Sequence, residues 1–325
     1  MDLDLVFLGT SGSAPTAGRS PTALLVRRGG DRLLFDCGEG TQRQLMRSTV
    51  GLPDLEHVFI SHFHADHYLG LPGMLKTFGL RQREAPLTVY GPPGLRELFG
   101  DLRRIFGKVS YPVDVVEVRP GEALERDGYK ILVFPVHHGV SAVGYALVED
   151  VRPGFFDVAA ADALGVPSGP ERGELQRGDS ITLDDGQVVT PDMVLGAPRP
   201  GRRIVIPGDT APTETVRVLS EGADVLVHEA TFTEDERDRA AETLHSTARQ
   251  AAELARDAGV RMLALTHLSP RYFGKELLEE AREVLPTAVA PRDFDVIEVP
   301  FAERGEPTLV KHGARPESVR PDAIT

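Results

Sequence analysis

Cysteine is nearly absent from this chain, and long hydrophobic segments are missing. Its 325 residues include one cysteine, Cys37, so neither an intrachain disulfide nor a four-cysteine metal site can form. No segment approaches the roughly 18 apolar residues that a membrane-spanning helix needs, and the first residues lack the positive charge and apolar stretch of a signal peptide. We therefore expect a soluble, cytoplasmic protein with no membrane partner.

Positive charge is also scarce. The chain has 36 basic and 49 acidic residues, a net charge of −13 and a pI near 5.3. This balance argues against non-specific binding to nucleic acids or anionic membranes. Hydrophobic residues make up 41% and charged residues 26% of the chain, which excludes a disordered protein, and the length fits one large domain or two tightly packed halves.

Short apolar runs alternate with helical patterns along most of the chain, which indicates an α/β protein. Runs such as 5–8 and 57–60 predict strands, and residues 41–47 predict a helix. An alanine stripe predicts a second helix, with Ser246 as its N-cap and Gly259 at its end. The segment from about 150 to 200 is different: it is acidic, rich in proline and glycine, and weakly periodic, so we interpret it as an inserted arm.

Side chains that commonly bind metals gather at the ends of the predicted strands. Polar clusters that include His62, His137, Asp209, His228 and His267 each follow directly after an apolar run. In open α/β sheets, such strand ends meet at one edge, and functional sites lie there. The sequence therefore predicts one site built from five separate segments.

The strongest local signal is the His-x-His-x-Asp-His motif at 62–67. Residues two apart in an extended chain point the same way, so His62 and His64 can bind one metal ion. If a helix follows, Asp66 and His67 turn toward an adjacent point and can hold a second ion. Nitrogen and carboxylate ligands in this mixture suit Zn²⁺ best, with Mn²⁺ or Fe as alternatives.

A two-metal site needs further ligands from the other strand ends. His137 and His138 are adjacent and point to opposite faces, so one of the two is the expected ligand. Asp209 could bridge two ions or cap a helix, and His267 could be a ligand or a core histidine. The predicted set is His62, His64 and His137 or His138 for the first ion, Asp66, His67 and His267 for the second, and Asp209 between them.

These residues carry a resemblance to a known family. The His-x-His-x-Asp-His motif resembles the metallo-β-lactamase superfamily. Within it, the chain resembles ribonuclease Z, the family of tRNA 3′-processing endonucleases, over almost its whole length. The matching segments are Phe7-Leu8-Gly9-Thr10, Asp36-Cys37-Gly38-Glu39-Gly40-Thr41-Gln42-Arg43-Gln44, His138-Gly139 followed by Gly144-Tyr145, Gly208-Asp209-Thr210, His228-Glu229-Ala230-Thr231, His245-Ser246-Thr247 and Thr266-His267.

The resemblance implies a fold, a metal content and an assembly. The fold is a four-layer αβ/βα sandwich, here a single catalytic domain over 1–325 with a tRNA-binding arm at about 150–200. The family places its ligand histidine six residues before Gly-Tyr, which selects His138 over His137. Two Zn²⁺ ions per subunit are implied, with Mn²⁺ possible, and a chain of this length implies a homodimer.

The resemblance also implies a reaction. Ribonuclease Z hydrolyses pre-tRNA after the discriminator nucleotide and leaves a 3′-hydroxyl on the tRNA and a 5′-phosphate on the trailer. Asp66 would then serve both as a metal ligand and as the proton acceptor for the attacking water. Glu229 and His245 are the candidates for protonating the leaving oxygen. Ser246 and Thr247, at a helix start, would seat a phosphate, and Arg271 would provide a second phosphate contact.

The arm departs from what this family should require. An arm that grips tRNA should be basic, because phosphate contacts dominate affinity. Residues 151–200 instead contain four arginines, no lysine and eight acids. Either the arginines cluster on one face, or the RNA contacts lie elsewhere, for example at Arg202 and Arg203, or the protein works at high salt or high Mg²⁺.

Two other functions fit parts of the pattern. A phosphodiesterase that acts on small or cyclic phosphodiesters would have the same metal ligands, but the arm and the His-Glu-Ala-Thr segment favour tRNA. A non-catalytic RNA- or protein-binding relative would have lost ligands, whereas every expected ligand is present in this chain.

Overall fold

Two β-sheets face each other across an apolar layer in the computed structural model, which describes residues 1–52 and 55–313. The strands of this part of the chain are β1 (Leu3–Gly9), β2 (Ala23–Arg28), β3 (Asp31–Phe35), β4 (His57–Phe59), β5 (Leu87–Gly91), β6 (Val113–Glu117), β7 (Ala123–Arg126), β8 (Tyr129–Pro135), β9 (Val143–Glu149), β10 (Ile181–Thr182), β11 (Val188–Val189), β12 (Arg203–Gly208), β13 (Val225–Glu229), β14 (Met262–Thr266), β15 (Val296–Glu298) and β16 (Thr308–Val310).

Helices connect many of these strands. They are α1 (Thr41–Arg47), α2 (Ala65–Tyr68), α3 (Gly70–Leu80), α4 (Leu95–Phe106), α5 (Val158–Ala163), α6 (Pro170–Arg177), α7 (Glu214–Leu219), α8 (Arg237–Glu242), α9 (Ala248–Asp257) and α10 (Gly274–Val284), with short 3₁₀ turns at Pro191–Met193, Glu234–Glu236 and Ala302–Arg304. Among the residues described, no helix has both the length and the apolar character needed to cross a bilayer.

The strand order brings the predicted site segments to one edge. The first sheet runs β16-β15-β1-β2-β3-β4-β5-β6 and the second runs β14-β13-β12-β9-β8-β7. Strands β3 to β6 are parallel, and so are β12, β13 and β14. Because the carboxyl ends of parallel strands share an edge, the loops after β12, β13 and β14 open on one side of the second sheet. The loop after β4 of the first sheet meets them there, since Asp209 Oδ2 lies 3.7 Å from His62 Nε2.

Four layers result from the way these sheets bury their two faces. The inner faces share one core, in which the rings of Phe35 and Phe59 stack 4.9 Å apart and Tyr145 meets Phe59 edge-on at 5.4 Å. The outer face of the first sheet packs against helices that include α1 and α3, and the outer face of the second packs against α9 and α10. The predicted αβ/βα sandwich is confirmed.

The two helices predicted from the sequence are present, with one correction. Helix α1 has the predicted bounds. Helix α9 is capped by Thr247, whose hydroxyl accepts the Gln250 N–H, and not by Ser246. Ser246 is fully buried and donates its hydroxyl to the Thr210 carbonyl at 2.7 Å. Gly259 follows the last turn with φ 64°, a left-handed conformation that glycine adopts without strain.

The arm is more ordered than its composition indicated. Between β9 and β12 lie α5, α6 and the β10–β11 hairpin, and they enclose a small core of their own, made of Ala161, Val166, Leu175, Ile181, Val189 and Val194. The arm leaves the sheet after Glu149 and returns at Arg203. Since β12 runs from there toward Asp209, the root of the arm lies about 20 Å from the predicted metal site, one six-residue strand away.

A buried ion network fixes the root of the arm. Glu149 accepts hydrogen bonds from the Arg28 Nε and the Arg202 Nη2, both at 2.8 Å. Burial raises the pKa of Glu149, but the hydrogen bonds from Arg202 and Arg28 lower it by more than burial raises it, so the net shift is downward. Arg202 is only 3% exposed, which corrects the suggestion that this arginine contacts tRNA.

Replacing Glu149 with glutamine should lower the free energy of unfolding of the protein. Two buried guanidinium groups would lose their counter-charge, and breaking a buried pair in this way costs about 3–5 kcal/mol. Urea unfolding followed by circular dichroism measures the loss. The control is Asp101→Asn at the exposed pair with Arg104, for which little change is expected; equal destabilisation by both variants would contradict the assignment.

Candidate metal centre

The His-x-His-x-Asp-His segment changes conformation midway, as the spacing requires. Beyond β4 the chain is extended up to His64, at φ −73° and ψ 145°, so His62 and His64 point the same way. Helix α2 begins at Ala65 and turns Asp66 and His67 to the next position. The segment therefore delivers two pairs of ligand-type side chains to adjacent points.

The first group of side chains consists of three imidazoles. His62 Nε2 and His138 Nε2 lie 3.0 Å and 3.2 Å from His64 Nδ1, and Asp209 Oδ2 lies 3.7 Å from His62 Nε2. His137 is exposed, and its backbone pairs with Ala211, so only His138 reaches the group. The expectation that one of the two adjacent histidines joins the site agrees with this geometry.

The second group shares Asp209 with the first. His267 Nε2 lies 3.1 Å from Asp209 Oδ2 and 3.3 Å from Asp66 Oδ2. His67 Nε2 lies 3.3 Å from the same Asp209 oxygen and 3.5 Å from Asp66 Oδ2. Asp209 is therefore placed between the two groups, as predicted for a bridging carboxylate.

The donor set fits cations. Burial lowers the pKa of His62, His64 and His138, so these imidazoles are neutral, which is the form that binds metals. Their nitrogens are spaced like ligands on a tetrahedral ion, for which 2.0–2.1 Å bonds give a separation of about 3.3 Å. In addition, His67 Nε2 and Asp209 Oδ2 are buried and have no hydrogen-bond partner among the residues described, and a bound cation would satisfy both.

Charge in the second group is coupled to metal binding. Burial lowers the pKa of His67, but the carboxylates of Asp209 and Asp36 raise it more, so that it lies well above the ordinary value. Burial raises the pKa of Asp209, whereas His267 and His67 lower it to well below its usual range. These shifts favour a proton on His67, and a cation bound at its Nε2 would compete with that proton.

Asp36 orients one of these ligands, and the sequence reading gave it no role. It accepts the His67 Nδ1–H at 2.8 Å and also the backbone N–H and hydroxyl of Ser61, at 2.8 Å and 2.9 Å. This arrangement fixes the His67 tautomer so that Nε2 faces the centre. The sequence did contain an indication of this role, because Asp36 directly follows β3 in the way that the candidate metal ligands follow their strands.

Thr231 plays the same part for His267. The His267 Nδ1 lies 2.9 Å from the Thr231 hydroxyl, which in turn donates to Glu229 Oε2. This chain of hydrogen bonds leaves His267 Nε2 free for a cation. His267 itself has φ 53°, an uncommon conformation for a residue other than glycine, and the surrounding loop must hold it there.

A carboxylate–imidazole pair borders the centre. Glu229 is 1% exposed and accepts the His245 Nδ1–H at 2.7 Å and the Thr210 N–H at 3.0 Å. Burial lowers the pKa of His245, but Glu229 raises it more, to about 9. A nitrogen of His245 lies within 4.8 Å of ligand atoms of Asp209 and His267. The pair thus places a proton donor beside the centre.

The start of helix α9 offers no phosphate seat, contrary to the sequence-based expectation. Ser246 and Thr247 are fully buried. The Thr247 hydroxyl donates to the Glu234 carboxylate. The N–H groups of the first turn are already bound to protein oxygens: that of Thr247 to Gln250, of Ala248 to Phe232, of Arg249 to Glu280 and of Gln250 to Thr247.

Arg271 lies closer to the surface, and its side chain is 44% exposed. Its guanidinium donates to Glu236 at 2.6 Å. A phosphate at this position would have to compete with that carboxylate, so the structure leaves the predicted RNA contact of Arg271 untested.

Family models match two parts of the chain. Residues 16–151 match the metallo-beta-lactamase superfamily model, and residues 176–268 match a beta-lactamase superfamily domain model. The two ranges together include all seven clustered side chains, with His267 close to the end of the second. The fold is the metallo-β-lactamase fold, and its cluster of histidines and aspartates is a site for a divalent metal.

Relatives of known name match over nearly the whole chain. A ribonuclease Z from Myxococcus xanthus is 49% identical over 93% of this chain and 99% of its own length. One from Halorubrum lacusprofundi is 47% identical over 94% of this chain and 100% of its own. Among solved structures, human tRNase Z, short form, has a TM-score of 0.66 and 27% identity, covering 91% of this chain and 99% of that one.

Replacing Asp36 with asparagine should weaken metal binding without removing a ligand. The amide cannot accept the His67 N–H and both Ser61 donors as strongly as the carboxylate does, and changes at such positions cost about 10–100-fold in metal affinity. Competition with a coloured chelator measures the affinity for Zn²⁺, and circular dichroism checks the fold. The matched control is Asp293→Asn, a carboxylate bonded to Ser20 and Thr10 outside the centre; an equal loss in both variants would remove Asp36 from this role.

Proposed function

The chain belongs to the ribonuclease Z family, and we propose that it is an endoribonuclease that removes 3′ trailers from pre-tRNA. The proposal rests on one combined observation: ribonuclease Z relatives match nearly the whole chain, and the histidines and aspartates that could bind metal lie together in the structure. Such an enzyme would cut after the discriminator nucleotide and leave a 3′-hydroxyl on the tRNA and a 5′-phosphate on the trailer. Its substrate would place it in the cytoplasm.

We propose two Zn²⁺ ions per subunit, with Mn²⁺ as a possible substitute. His62, His64 and His138 would hold one ion, Asp66, His67 and His267 the other, and Asp209 would bridge them. The nitrogen-rich first group supports Zn²⁺, which prefers imidazole ligands in a tetrahedral arrangement. Bound there, the cations would polarise the scissile phosphate and acidify the attacking water.

Asp66 would orient that water and accept its proton. Burial raises the pKa of Asp66, but the neighbouring imidazoles of His267 and His67 lower it more, so it remains ionised. Its Oδ2 also accepts the Ser13 N–H at 2.7 Å, which holds the carboxylate in place. As the new oxygen–phosphorus bond forms, the water proton would pass to this group.

The leaving 3′-oxygen must gain a proton as its bond to phosphorus breaks. His245 would donate it from Nε2, because its Nδ1–H is held by the buried Glu229. The carboxylate stabilises the charged imidazole and sets its orientation. Glu229 would thus act through His245 and not on the RNA directly.

Residues 1–325 would form one catalytic domain, with the arm at about 150–200 as an exosite for tRNA. The arm begins after the last residue of β9, Glu149, and ends before the first residue of β12, Arg203. Asp209 follows the opposite end of β12. An arm whose root lies about 20 Å from its own centre is compatible with a homodimer in which each arm serves the site of the partner. Its eight acids and four arginines would limit the number of phosphate contacts that it makes.

Purified protein with Zn²⁺ or Mn²⁺ should cut a 3′-extended pre-tRNA at one position. Mapping both ends of the cut should place it after the discriminator nucleotide, with a 5′-phosphate on the trailer. The variant Asp66→Ala, matched to Asp293→Ala, should lose essentially all cleavage. Near-normal turnover by Asp66→Ala would exclude its role, and absence of cleavage by the parent protein with either metal would refute the proposed function.

Replacing His245 with alanine should slow the chemical step while leaving tRNA binding intact. Loss of a general acid typically costs about 10²–10⁴-fold in rate. Single-turnover cleavage at saturating protein measures the step, and filter binding measures the affinity. A variant that binds weakly but cleaves at the parent rate would contradict the assignment of His245 as the proton donor.

A further inference from the structure

A concave, positively charged surface lies directly behind one wall of the metal centre. We call it the basic groove; it is lined by Arg19, Lys275, Arg282, Arg292 and Lys311, with Tyr272 and Phe273 at its rim, and it encloses about 980 Å³. It lies between the loop after β1, the start of α10 and the residues that follow β16. None of the roles assigned above uses these side chains.

The wall between groove and centre is only a residue or two thick. Ser11 and Leu268 line the groove, and Leu268 directly follows His267. Gly12, which follows Ser11, is so close to the His267 ring that an added Cβ would lie 2.6 Å from Nδ1. The backbone N–H of Ser13 donates to the Asp66 carboxylate. An RNA segment that extends from the metal centre over this wall would enter the basic groove.

The charge of the groove is opposite to that of the whole molecule. The chain has a net charge of −13, yet the groove has five arginine and lysine side chains in its lining and one carboxylate, Asp295. That carboxylate is buried and accepts the backbone N–H groups of Arg292 and His312, at 2.9 Å and 2.8 Å. It is therefore already engaged by the backbone.

Two of these cations have neither a salt bridge nor a side-chain hydrogen bond in the part of the chain that the structure describes. Within 1–52 and 55–313, neither Arg292 nor Lys311 forms a side-chain salt bridge, whereas Lys275 lies 3.3 Å from Glu279. Arg19 is held by Thr10 and the Pro291 carbonyl. Burial lowers the pKa of Arg19, and the neighbouring charge of Arg292 lowers it further while Asp293 opposes this. Clustered like charges of this kind favour an anion.

An exposed aromatic ring stands beside this charge. Phe273, at the entry to α10, is 81% exposed. Aromatic rings combined with a basic groove are typical of proteins that bind single-stranded nucleic acid, because unpaired bases stack on the ring while cations contact the backbone. A duplex has its bases already stacked, so it would leave the ring unused.

We propose that the basic groove binds the single-stranded 3′ trailer of the substrate as it leaves the metal centre. The proposal rests on the proposed function: when the 3′-oxygen of the tRNA leaves, the trailer keeps the phosphate, and the two products need separate paths. His245 marks the side of the leaving oxygen, and the groove lies beyond the wall formed by Ser11 and Leu268. Phe273 stacks on a trailer base, and Arg292 and Lys311 contact its phosphates.

The test uses the metal-loaded protein and pre-tRNAs with trailers of one or twelve nucleotides. The variants are Phe273→Ala and the double variant Arg292→Ala/Lys311→Ala; the matched control, Arg104→Ala/Arg256→Ala, removes two exposed arginines from the outer helices α4 and α9. Single-turnover cleavage gives the half-saturating protein concentration and the maximal rate. Both groove variants should raise that concentration about 10-fold for the long trailer and leave it unchanged for the short one.

A second measurement separates this proposal from the proposed function. Anisotropy of a labelled twelve-nucleotide single-stranded RNA with a 5′-phosphate reports groove binding without cleavage. For the double variant, the slope of log affinity against log salt should become shallower by about 1.4, since each single-strand phosphate contact contributes about 0.7.

Each outcome has one meaning. Equal losses for long and short trailers would show that the groove holds the tRNA body, and no loss in either assay would show that it binds no RNA; both would overturn the proposal. If the parent protein binds the oligonucleotide through the groove but cuts no pre-tRNA, the proposed function fails while the groove remains a single-strand site.

Discussion

The whole site depends on one carboxylate that the fold buries among imidazoles. Asp209 is 2% exposed, and its Oδ2 faces nitrogens from the segments after β4 and β14 at 3.1–3.7 Å. A buried anion of this kind is costly unless positive charge compensates it, so the metal-free protein must keep a proton nearby. A divalent cation bound there would compensate the same charge and would give His67 Nε2 and Asp209 Oδ2 a partner.

The positions of the candidate ligands were predictable from sequence because strand ends are predictable. Apolar runs locate buried strands well, so the polar clusters that follow them, including Asp209 and His267, could be grouped with the 62–67 segment. The structure draws these clusters from two facing sheets and not from the edge of one sheet. Choosing His138 over His137 depended on family spacing alone, and the structure shows the physical reason: the His137 backbone pairs with Ala211 and its side chain faces solvent.

Contacts that depend on packing were not predictable. Asp36 and Thr231 support ligands through hydrogen bonds between segments far apart in sequence, and no local pattern reports such partners. The expected phosphate seat at Ser246 and Thr247 failed for the same reason. A helix start has unpaired N–H groups only when the rest of the fold leaves them free, and here the tertiary structure supplies an oxygen for each one. The basic groove was likewise hidden, since its cations come from three separate segments of an acidic chain.

Because the one native thiol is unreactive, the arm can be labelled at a single introduced cysteine. Cys37 is buried beside Asp36, and burial raises the pKa of its thiol to about 12, so thiol-reactive dyes and spin labels find no native target. One cysteine introduced at Val188, an exposed position in the β10–β11 hairpin, would therefore carry a single probe per chain. A measurable distance between two such probes would test the proposed homodimer, because it requires two chains in one assembly.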